Sequence, residues 1–380
     1  MYKIVDGYYE PQDIMDRIFR NEGVEVKTEM SSFELAFVCG LLKEKRPKKI
    51  VEVGVSAGGT SAVILNCLSK LNIKTEMYSV DLVDYYYREP QKEMGYLIDV
   101  AKKYLDNSEI NHYKYSGGIG SHIEEIGENK DIEFLILDTK HALPGEVLEF
   151  LVCLPYLSEG CIVVLHDVNV HHIEMCNSYV TNVLFASVSA NKYYTYDDKA
   201  MYGMPNIAAF QVTKDTKRYV EDIILGLSIP WQYKIDDRMM EQYWNVIKNN
   251  YSKSTVDLFA RVYNTQQHAF LVKDILSRHN CTLYEFKTTW NNSENVVIYG
   301  DGYWGTAYRE FAKREKLQVD AIVISDGEEI CQKDRDGIPI YHLSELPLEK
   351  DNTTFIFAIE EKNISLLKNN AEKAGYEKFL

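Results

Sequence analysis

Two short polar segments follow apolar stretches, and their side chains could hold a metal ion and move a proton. Asp138 and His141 come directly after the apolar run Phe134–Leu137, and the pair His166-Asp167 follows a second such run. Paired carboxylates beside an imidazole suit a hard divalent cation such as Mg²⁺, which could lower the pKa of a bound hydroxyl. His141 could then accept the proton. The alternative is structural, with each Asp capping a helix and His166 a satisfied buried histidine.

A glycine-rich turn follows the apolar run Lys49–Val53 and precedes a helical pattern. Its glycines are Gly54, Gly58 and Gly59, a spacing that departs from the G-x-G-x-x-G of a pyrophosphate-binding loop. Glycine lets a backbone approach a ligand closely, and a helix N-terminus offers unpaired N–H groups. Asp81 ends the next apolar run and could accept hydrogen bonds from ribose hydroxyls. A tight turn without a ligand is the alternative.

The loop resembles the first motif of the class I S-adenosylmethionine-dependent methyltransferases, E-x-G-x-x-x-G. The motif is carried here by Glu52, Gly54 and Gly58, and the resemblance covers residues 46–215. It implies a loop that wraps the amino-acid part of the donor S-adenosylmethionine. The donor-binding residues that it implies are Glu52, Gly54, Ser56, Gly58 and Asp81.

The polar segments resemble a metal-dependent branch of that family. Asp138-x-x-His141, then Pro144-Gly145-Glu146-Val147, then His166-Asp167 is similar to the macrolide sugar O-methyltransferases and the cephalosporin-hydroxylase-like proteins. This resemblance implies that Asp138, His166 and Asp167 hold the metal and that His141, with Asp138, is catalytic. His166 stands where an acidic residue is usual, so ligation by His166 and a weak or absent metal both stay open.

A second glycine loop, Gly300-x-Gly302-x-x-Gly305, follows an apolar run, and Asp326 ends the next one. The segment is too short for a full dinucleotide-binding fold. It resembles the small Rossmann-like domain of bacterial sugar-modifying proteins, including the N-terminal part of sugar O- and N-acetyltransferases. That resemblance implies that Gly300, Gly302 and Asp326 hold a nucleotide or nucleotide sugar. A degenerate domain used for assembly is the alternative.

The elements that must position these residues alternate between short apolar runs and longer amphipathic segments. This alternation predicts an α/β fold with a doubly wound, mostly parallel sheet. The predicted strands are Lys49–Val53, Glu76–Val80, His112–Tyr115, Phe134–Leu137, Ile162–Leu165, Tyr193–Tyr196 and Ile207–Val212. The last two fit an antiparallel hairpin at the sheet edge.

The pattern divides the chain into four segments. We predict an N-terminal helical cap over residues 1–45 and the methyltransferase domain over 46–215. A helical linker or lid follows over 216–289, and a second, small Rossmann-like nucleotide-binding domain over 290–380.

Composition limits the partners. The chain has 380 residues and a formal net charge of −15, and an acidic surface disfavours nucleic acid. No apolar run reaches the roughly 18 residues of a membrane span, and no signal peptide is recognised, so the expected location is cytoplasmic. Homo-oligomerisation stays open.

Together these patterns predict an O-methyltransferase that uses S-adenosylmethionine and Mg²⁺ or a similar cation. The predicted acceptor is a small molecule, a hydroxyl of a sugar or nucleotide sugar. Two alternatives remain: an NAD-dependent oxidoreductase that uses the second glycine loop, and a non-catalytic protein that binds nucleotide sugars or serves assembly.

Overall fold

The computed structural model describes residues 2–105, 109–173, 178–195 and 205–380. The chain forms two compact units, residues 1–262 and residues 263–380. The segment predicted as a helical linker or lid, 216–289, is shared between the two. Among the described residues, every helix falls short of the length and apolarity that crossing a membrane requires.

The first unit is built on a large sheet and a small hairpin. Its strands are β1 (Tyr2–Ile4), β2 (Lys49–Val53), β3 (Thr75–Asp81), β4 (Tyr85–Tyr86), β5 (Glu89–Glu93), β6 (Ile110–Ser116), β7 (Ile132–Leu137), β8 (Leu157–His166), β9 (Asn191–Tyr194) and β10 (Ile207–Gln211). The order in the large sheet is β1-β9-β10-β8-β7-β2-β3-β6, and β4 pairs with β5. Strand β10 runs antiparallel to both of its neighbours, and the other pairings in the large sheet are parallel. The predicted doubly wound, mostly parallel sheet is therefore confirmed.

The helices in this part of the chain are α1 (Glu10–Asn21), α2 (Ser32–Lys45), α3 (Gly59–Lys70), α4 (Tyr96–Lys102), α5 (Ile123–Ile126), α6 (Gly145–Cys153), α7 (Val170–Ile173), α8 (Val180–Ser187), α9 (Lys214–Arg218), α10 (Val220–Gly226), α11 (Asp237–Asn250) and α12 (Lys253–His279). Helices α1 to α8 lie between the strands, α9 to α12 follow β10, and α12 extends past residue 262 into the second unit. Helix α2 begins at a capping box in which Ser31 and Glu34 bond each other's backbone N–H groups.

The chain reverses its direction of travel across the sheet at β2. From β2 the order continues through β3 and β6 on one side, and through β7 and β8 on the other. Ligands of open α/β sheets bind at the carboxyl ends of the strands where such a reversal occurs. All five residues of β2 are buried, which suits a central strand covered on both faces. The loops after β2 and β7 therefore border the expected crevice.

The structure differs from the predicted elements at the N-terminus and at the sheet edge. Residues 1–45 were predicted to be helical, but Tyr2–Ile4 forms β1, which pairs with β9 in parallel. Three residues are too few for a periodic signal, and the strand forms because an open sheet edge supplies its hydrogen bonds. The predicted strand Tyr193–Tyr196 is displaced to Asn191–Tyr194, and Tyr196 lies outside the described residues.

The second unit has its own sheet. Its strands are β11 (Asn295–Tyr299), β12 (Ala321–Ile324), β13 (Asp334–Arg335), β14 (Ile338–His342), β15 (Thr353–Phe357) and β16 (Lys378–Phe379), and its further helices are α13 (Leu283–Asn291), α14 (Tyr303–Glu315) and α15 (Glu361–Lys373). The order is β13-β14-β12-β11-β15-β16, with only β13 antiparallel among the described strands. This second, small α/β sheet agrees with the fold predicted for the C-terminal segment.

Candidate active site

The first glycine loop connects β2 to α3 through backbone conformations that side chains disfavour. Gly54 and Gly58 have φ values of 94° and 83°, and Ser56 has 55°. A Cβ atom on Gly54 would lie 1.7 Å from the carbonyl oxygen of Asp138, because Val53 and Leu137 are paired in the sheet. Gly54 is therefore required by the contact between two strand ends as well as by its backbone angle.

Asp81 holds this loop from the end of β3. Its Oδ2 atom accepts hydrogen bonds from the backbone N–H groups of Val55 and Ser56, at 2.8 and 2.9 Å. Charge-assisted bonds of this kind are stronger than those between neutral groups. One oxygen of the Asp81 carboxylate thus holds the loop backbone in place. Contact of the other oxygen with a ribose hydroxyl stays a prediction.

Glu52 lies behind the loop. Its side chain is 1% exposed, and one carboxylate oxygen accepts hydrogen bonds from Ser61 at 2.6 Å and Ser79 at 2.8 Å. Ser79 in turn lies 2.9 Å from the Nε2 atom of His112. The structure gives Glu52 a supporting position inside the sheet, and its predicted contact with a donor is not tested by this geometry.

Burial also gives Glu52 a marked pH response. It raises the pKa of Glu52 from 4.5 to about 7, against the two serine hydrogen bonds, which lower it. Between these values the folded protein retains a proton that the unfolded chain releases, so the free energy of unfolding falls as pH rises through that window. Glu52→Gln removes this titration. We expect wild-type stability relative to Glu52→Gln to decrease by about 3 kcal/mol between pH 4 and pH 8.

Chemical denaturation of both proteins across that pH range measures the difference. The control is Glu241→Gln, a change at an exposed glutamate of α11. A constant difference between wild type and Glu52→Gln across the range would contradict the assigned shift.

The polar residues after β7 and β8 meet at one edge of the sheet. These strands are paired in parallel with Leu137 opposite Leu165, so the residues that follow both are neighbours. One ligand atom from each of Asp138, His141, His166 and Asp167 lies within 4.8 Å of the others. Two carboxylates and two imidazoles at this spacing suit a divalent cation. The structure thus brings together the predicted ligands and the predicted base.

Short distances join the two histidines to the two aspartates. His141 Nε2 lies 2.7 Å from Asp167 Oδ2 and 3.6 Å from Asp138 Oδ1. His166 Nδ1 lies 3.0 Å from Asp138 Oδ1 and 3.5 Å from Asp167 Oδ2. Each ring therefore directs one nitrogen toward the aspartate pair.

Asp167 is held in an unusual backbone conformation. Its φ is 58°, which is uncommon outside glycine, and its carbonyl oxygen accepts a hydrogen bond from Thr181 at 2.8 Å. Asn206 donates its amide to the Asp167 carboxylate, because Ile207 of β10 is paired with His166. Burial alone would raise the pKa of Asp167, but His141 and His166 hold it below its ordinary value.

His141 is charged at neutral pH in this arrangement. Burial alone would lower the pKa of His141, but the carboxylates of Asp167 and Glu146 raise it to about 10. An imidazolium cannot accept a proton, so catalysis by His141 as a base requires another positive charge to offset Asp167.

Two glutamates to which the sequence analysis assigned no role lie behind the histidines, although Glu146 belongs to a segment that carries the family resemblance. Glu146 is fully buried, with Oε1 3.1 Å from His141 Nδ1, and Glu34 is 6% exposed, with Oε2 3.5 Å from His166 Nε2. A sequence signal existed for Glu34, since Ser31-x-x-Glu34 is a capping box, but that motif does not predict which side chain the carboxylate meets.

The second glycine loop also begins at a glycine with a positive φ, but the N-cap residue Gly302 is extended where Gly58 is left-handed. A Cβ on Gly300 would lie 2.6 Å from the carbonyl oxygen of Ala358, and Gly302 caps α14 with open space around it. Asp301 is paired with Arg309 at 2.8 Å and with Arg335 at 3.0 Å. Asp326 accepts two hydrogen bonds from Ser344. The ligand contacts predicted for Gly300, Gly302 and Asp326 stay predictions.

Residues 51–168 match the family model described as a methyltransferase domain. No curated protein matches the chain. A putative O-methyltransferase from Klebsiella pneumoniae is similar in structure, with 15% identity and a TM-score of 0.37 over 53% of this chain and 90% of its own. The O-methyltransferase TomG from Streptomyces achromogenes, solved with S-adenosylmethionine, has 13% identity and a TM-score of 0.35 over 54% and 90%.

A third similar structure is the MycE methyltransferase from the mycinamycin biosynthetic pathway, solved with Mg, S-adenosylhomocysteine and mycinamycin VI. It has 12% identity and a TM-score of 0.33, over 53% of this chain and 55% of its own. The family match lies within the doubly wound sheet of the first unit. The match indicates a methyltransferase domain over residues 51–168.

Proposed function

We propose that this protein is an S-adenosylmethionine-dependent O-methyltransferase that acts on a hydroxyl of a sugar or nucleotide sugar with the help of a divalent cation, for which Mg²⁺ is the initial candidate. One observation carries the proposal. The Asp138, His141, His166 and Asp167 group lies at the edge of the sheet where Gly54 contacts the backbone of Asp138. A donor at the loop and an acceptor at the polar group would therefore be neighbours.

Separate groups of residues would bind the methyl donor and the acceptor. The loop from Gly54 to Gly58 would receive the amino-acid part of the donor, and Asp81 would bind its ribose while holding Val55 and Ser56 in place. A divalent cation bound by Asp138, His166 and Asp167 would act as a Lewis acid on the acceptor hydroxyl. His141 would accept the proton from that hydroxyl once the charge of Asp167 is offset.

We propose the same four-part division that the sequence predicts. Residues 46–215 would carry methyl transfer, with 1–45 as a cap and 216–289 as a linker or lid, and 290–380 would bind a nucleotide or nucleotide sugar through Gly300, Gly302 and Asp326. The glycine turn between β11 and α14 supports the last assignment, because that helix N-terminus offers unpaired N–H groups. We place the enzyme in the cytoplasm.

Calorimetry with the full chain tests the donor. We expect S-adenosylmethionine and S-adenosylhomocysteine to bind, and Asp81→Asn to weaken binding of both at least about tenfold, because a carboxylate hydrogen bond contributes roughly 1.5–3 kcal/mol. The control is Asp84→Asn, a change at an exposed acid between β3 and β4.

Transfer of a labelled methyl group to a panel of sugars and nucleotide sugars tests the acceptor. Tight binding of NAD without a response to S-adenosylhomocysteine would favour the oxidoreductase alternative. Binding of nucleotide sugars alone would favour the non-catalytic one.

A further inference from the structure

Each of the two histidine rings lies between an aspartate of the predicted metal site and a glutamate on its other side. His166 directs Nδ1 to Asp138 and Nε2 to Glu34, and its side chain is 5% exposed. Nothing in the capping box requires this position of Glu34, because the backbone N–H of Ser31 occupies only part of the bonding capacity of the carboxylate. Glu34 therefore has a second role available, toward His166.

A carboxylate behind an imidazole changes what the ring can bind. It retains the proton on the nitrogen that it faces, leaves the lone pair on the other nitrogen, and raises the basicity of that nitrogen. For His166 the nitrogen left available is Nδ1, which is the one that lies among the atoms of Asp138 and Asp167. The ring is thus oriented as the nitrogen ligand of a proposed set whose other members, Asp138 and Asp167, offer oxygen.

The charges around His166 also favour a bound cation. Asp138, Asp167 and Glu34 surround His166 with three carboxylates, and all four side chains are at most 12% exposed. A buried carboxylate is costly unless positive charge lies beside it. His141 and Glu146 adjoin the same group, and each imidazole can carry at most one positive charge. The two histidines therefore leave the four carboxylates in excess, and a dication would balance them.

The nitrogen of His166 determines which metal ions the site would prefer. Mg²⁺ prefers oxygen ligands in near-ideal octahedral geometry, whereas imidazole suits divalent ions of the transition series and Zn²⁺. We propose that Glu34 is a positioning residue for His166, and that this pair makes the site selective for Mn²⁺ or Zn²⁺ over Mg²⁺. The inference rests on the proposed function for the assignment of a metal site, and it specifies a different preferred ion from the initial candidate.

Metal binding to the full chain tests the inference without measuring turnover. After removal of metals with a chelator, calorimetric titration with MnCl₂, ZnCl₂ and MgCl₂ gives the order of affinity. We expect Mn²⁺ and Zn²⁺ to bind at least about tenfold more tightly than Mg²⁺. Pulsed electron paramagnetic resonance of the Mn²⁺ form should detect the nitrogen of one coordinated imidazole.

Two variants separate the roles of the ring and its support. His166→Asn places an amide oxygen near the position of Nδ1, and we expect it to abolish the nitrogen signal and to remove the preference over Mg²⁺. Glu34→Gln keeps a side chain that can cap α2 and removes the charge behind the ring. We expect it to weaken Mn²⁺ binding by about 10–100-fold.

The matched control is Glu285→Gln, which alters a capping-box glutamate at the same position of α13 in the second unit. Circular dichroism establishes that each variant is folded.

The outcomes distinguish this inference from the proposed function. Equal affinity for Mg²⁺ and Mn²⁺, no binding of any of the three ions, or unchanged Mn²⁺ affinity in Glu34→Gln would overturn the inference, even if S-adenosylhomocysteine binds normally. Selective Mn²⁺ binding with no binding of S-adenosylhomocysteine would support the metal site and contradict methyl transfer.

Discussion

Replacing Asp138 or Asp167 with asparagine is expected to lower kcat at least about 100-fold, the scale at which a single electrostatic or proton-transfer group acts in catalysis. Each change removes one negative charge from the site while keeping the size of the side chain. Asparagine is also suited to position 167, because it tolerates the positive φ of 58° that Asp167 adopts. The loss should therefore come from the missing charge.

The affinity for S-adenosylhomocysteine separates the two parts of the site in these variants. The glycine loop after β2 is held by Asp81, which these substitutions leave unchanged. We therefore expect the affinity of both variants for S-adenosylhomocysteine to change by less than about threefold. Asp99→Asn is a matched control, because Asp99 is an exposed acid whose ion pair with Lys114 lies on the surface. Unchanged turnover in both site variants would exclude a catalytic role for the aspartate pair.

Gly54→Ala is expected to have the largest effect on stability. The new methyl group would lie 1.7 Å from the carbonyl oxygen of Asp138, and the backbone would have to retain a φ of 94°. Relief requires β2 to move away from β7, which breaks central pairing of the sheet. We expect a loss of more than about 3 kcal/mol in the free energy of unfolding, together with loss of donor binding.

Gly160→Ala separates the two causes of that loss. Gly160 has a similar φ of 98°, but the nearest atom to its new Cβ would be Gln211 Nε2 at 3.7 Å. This variant therefore carries the backbone strain without the collision, and we expect it to lose only about 1 kcal/mol. Denaturant unfolding of both proteins measures the difference. Equal losses of stability in the two variants would contradict the expected collision between the added methyl group at position 54 and the carbonyl oxygen of Asp138.

Much of the sheet could be predicted because its signal is local. Buried parallel strands are continuous apolar runs, and the glycines and charged residues that end them are visible one residue at a time. The predicted runs at 49–53, 134–137 and 162–165 lie within strands β2, β7 and β8. The meeting of Asp138 with Asp167 followed from the rule that parallel strands end at the same edge.

The elements that were not predicted depend on partners that are distant in the chain. Strand β1 exists only because β9 offers a free edge, and the β4–β5 hairpin is short and polar. Neither has a periodic pattern of its own. The same is true of Asn206, which reaches Asp167 because β10 is registered against β8 with Ile207 opposite His166.

The sequence by itself determined the class of fold, the glycine turn after β2 and the residue types able to bind a cation, because each depends on spacing along a single strand or turn. Tertiary structure alone decided how those groups are supported. It directed Asp81 to the loop backbone, buried Glu52 beneath that loop, and placed Glu34 and Glu146 behind the two histidines. These contacts join residues from separate elements, and the direction of a side chain is set by packing among elements, which no local pattern of residues encodes.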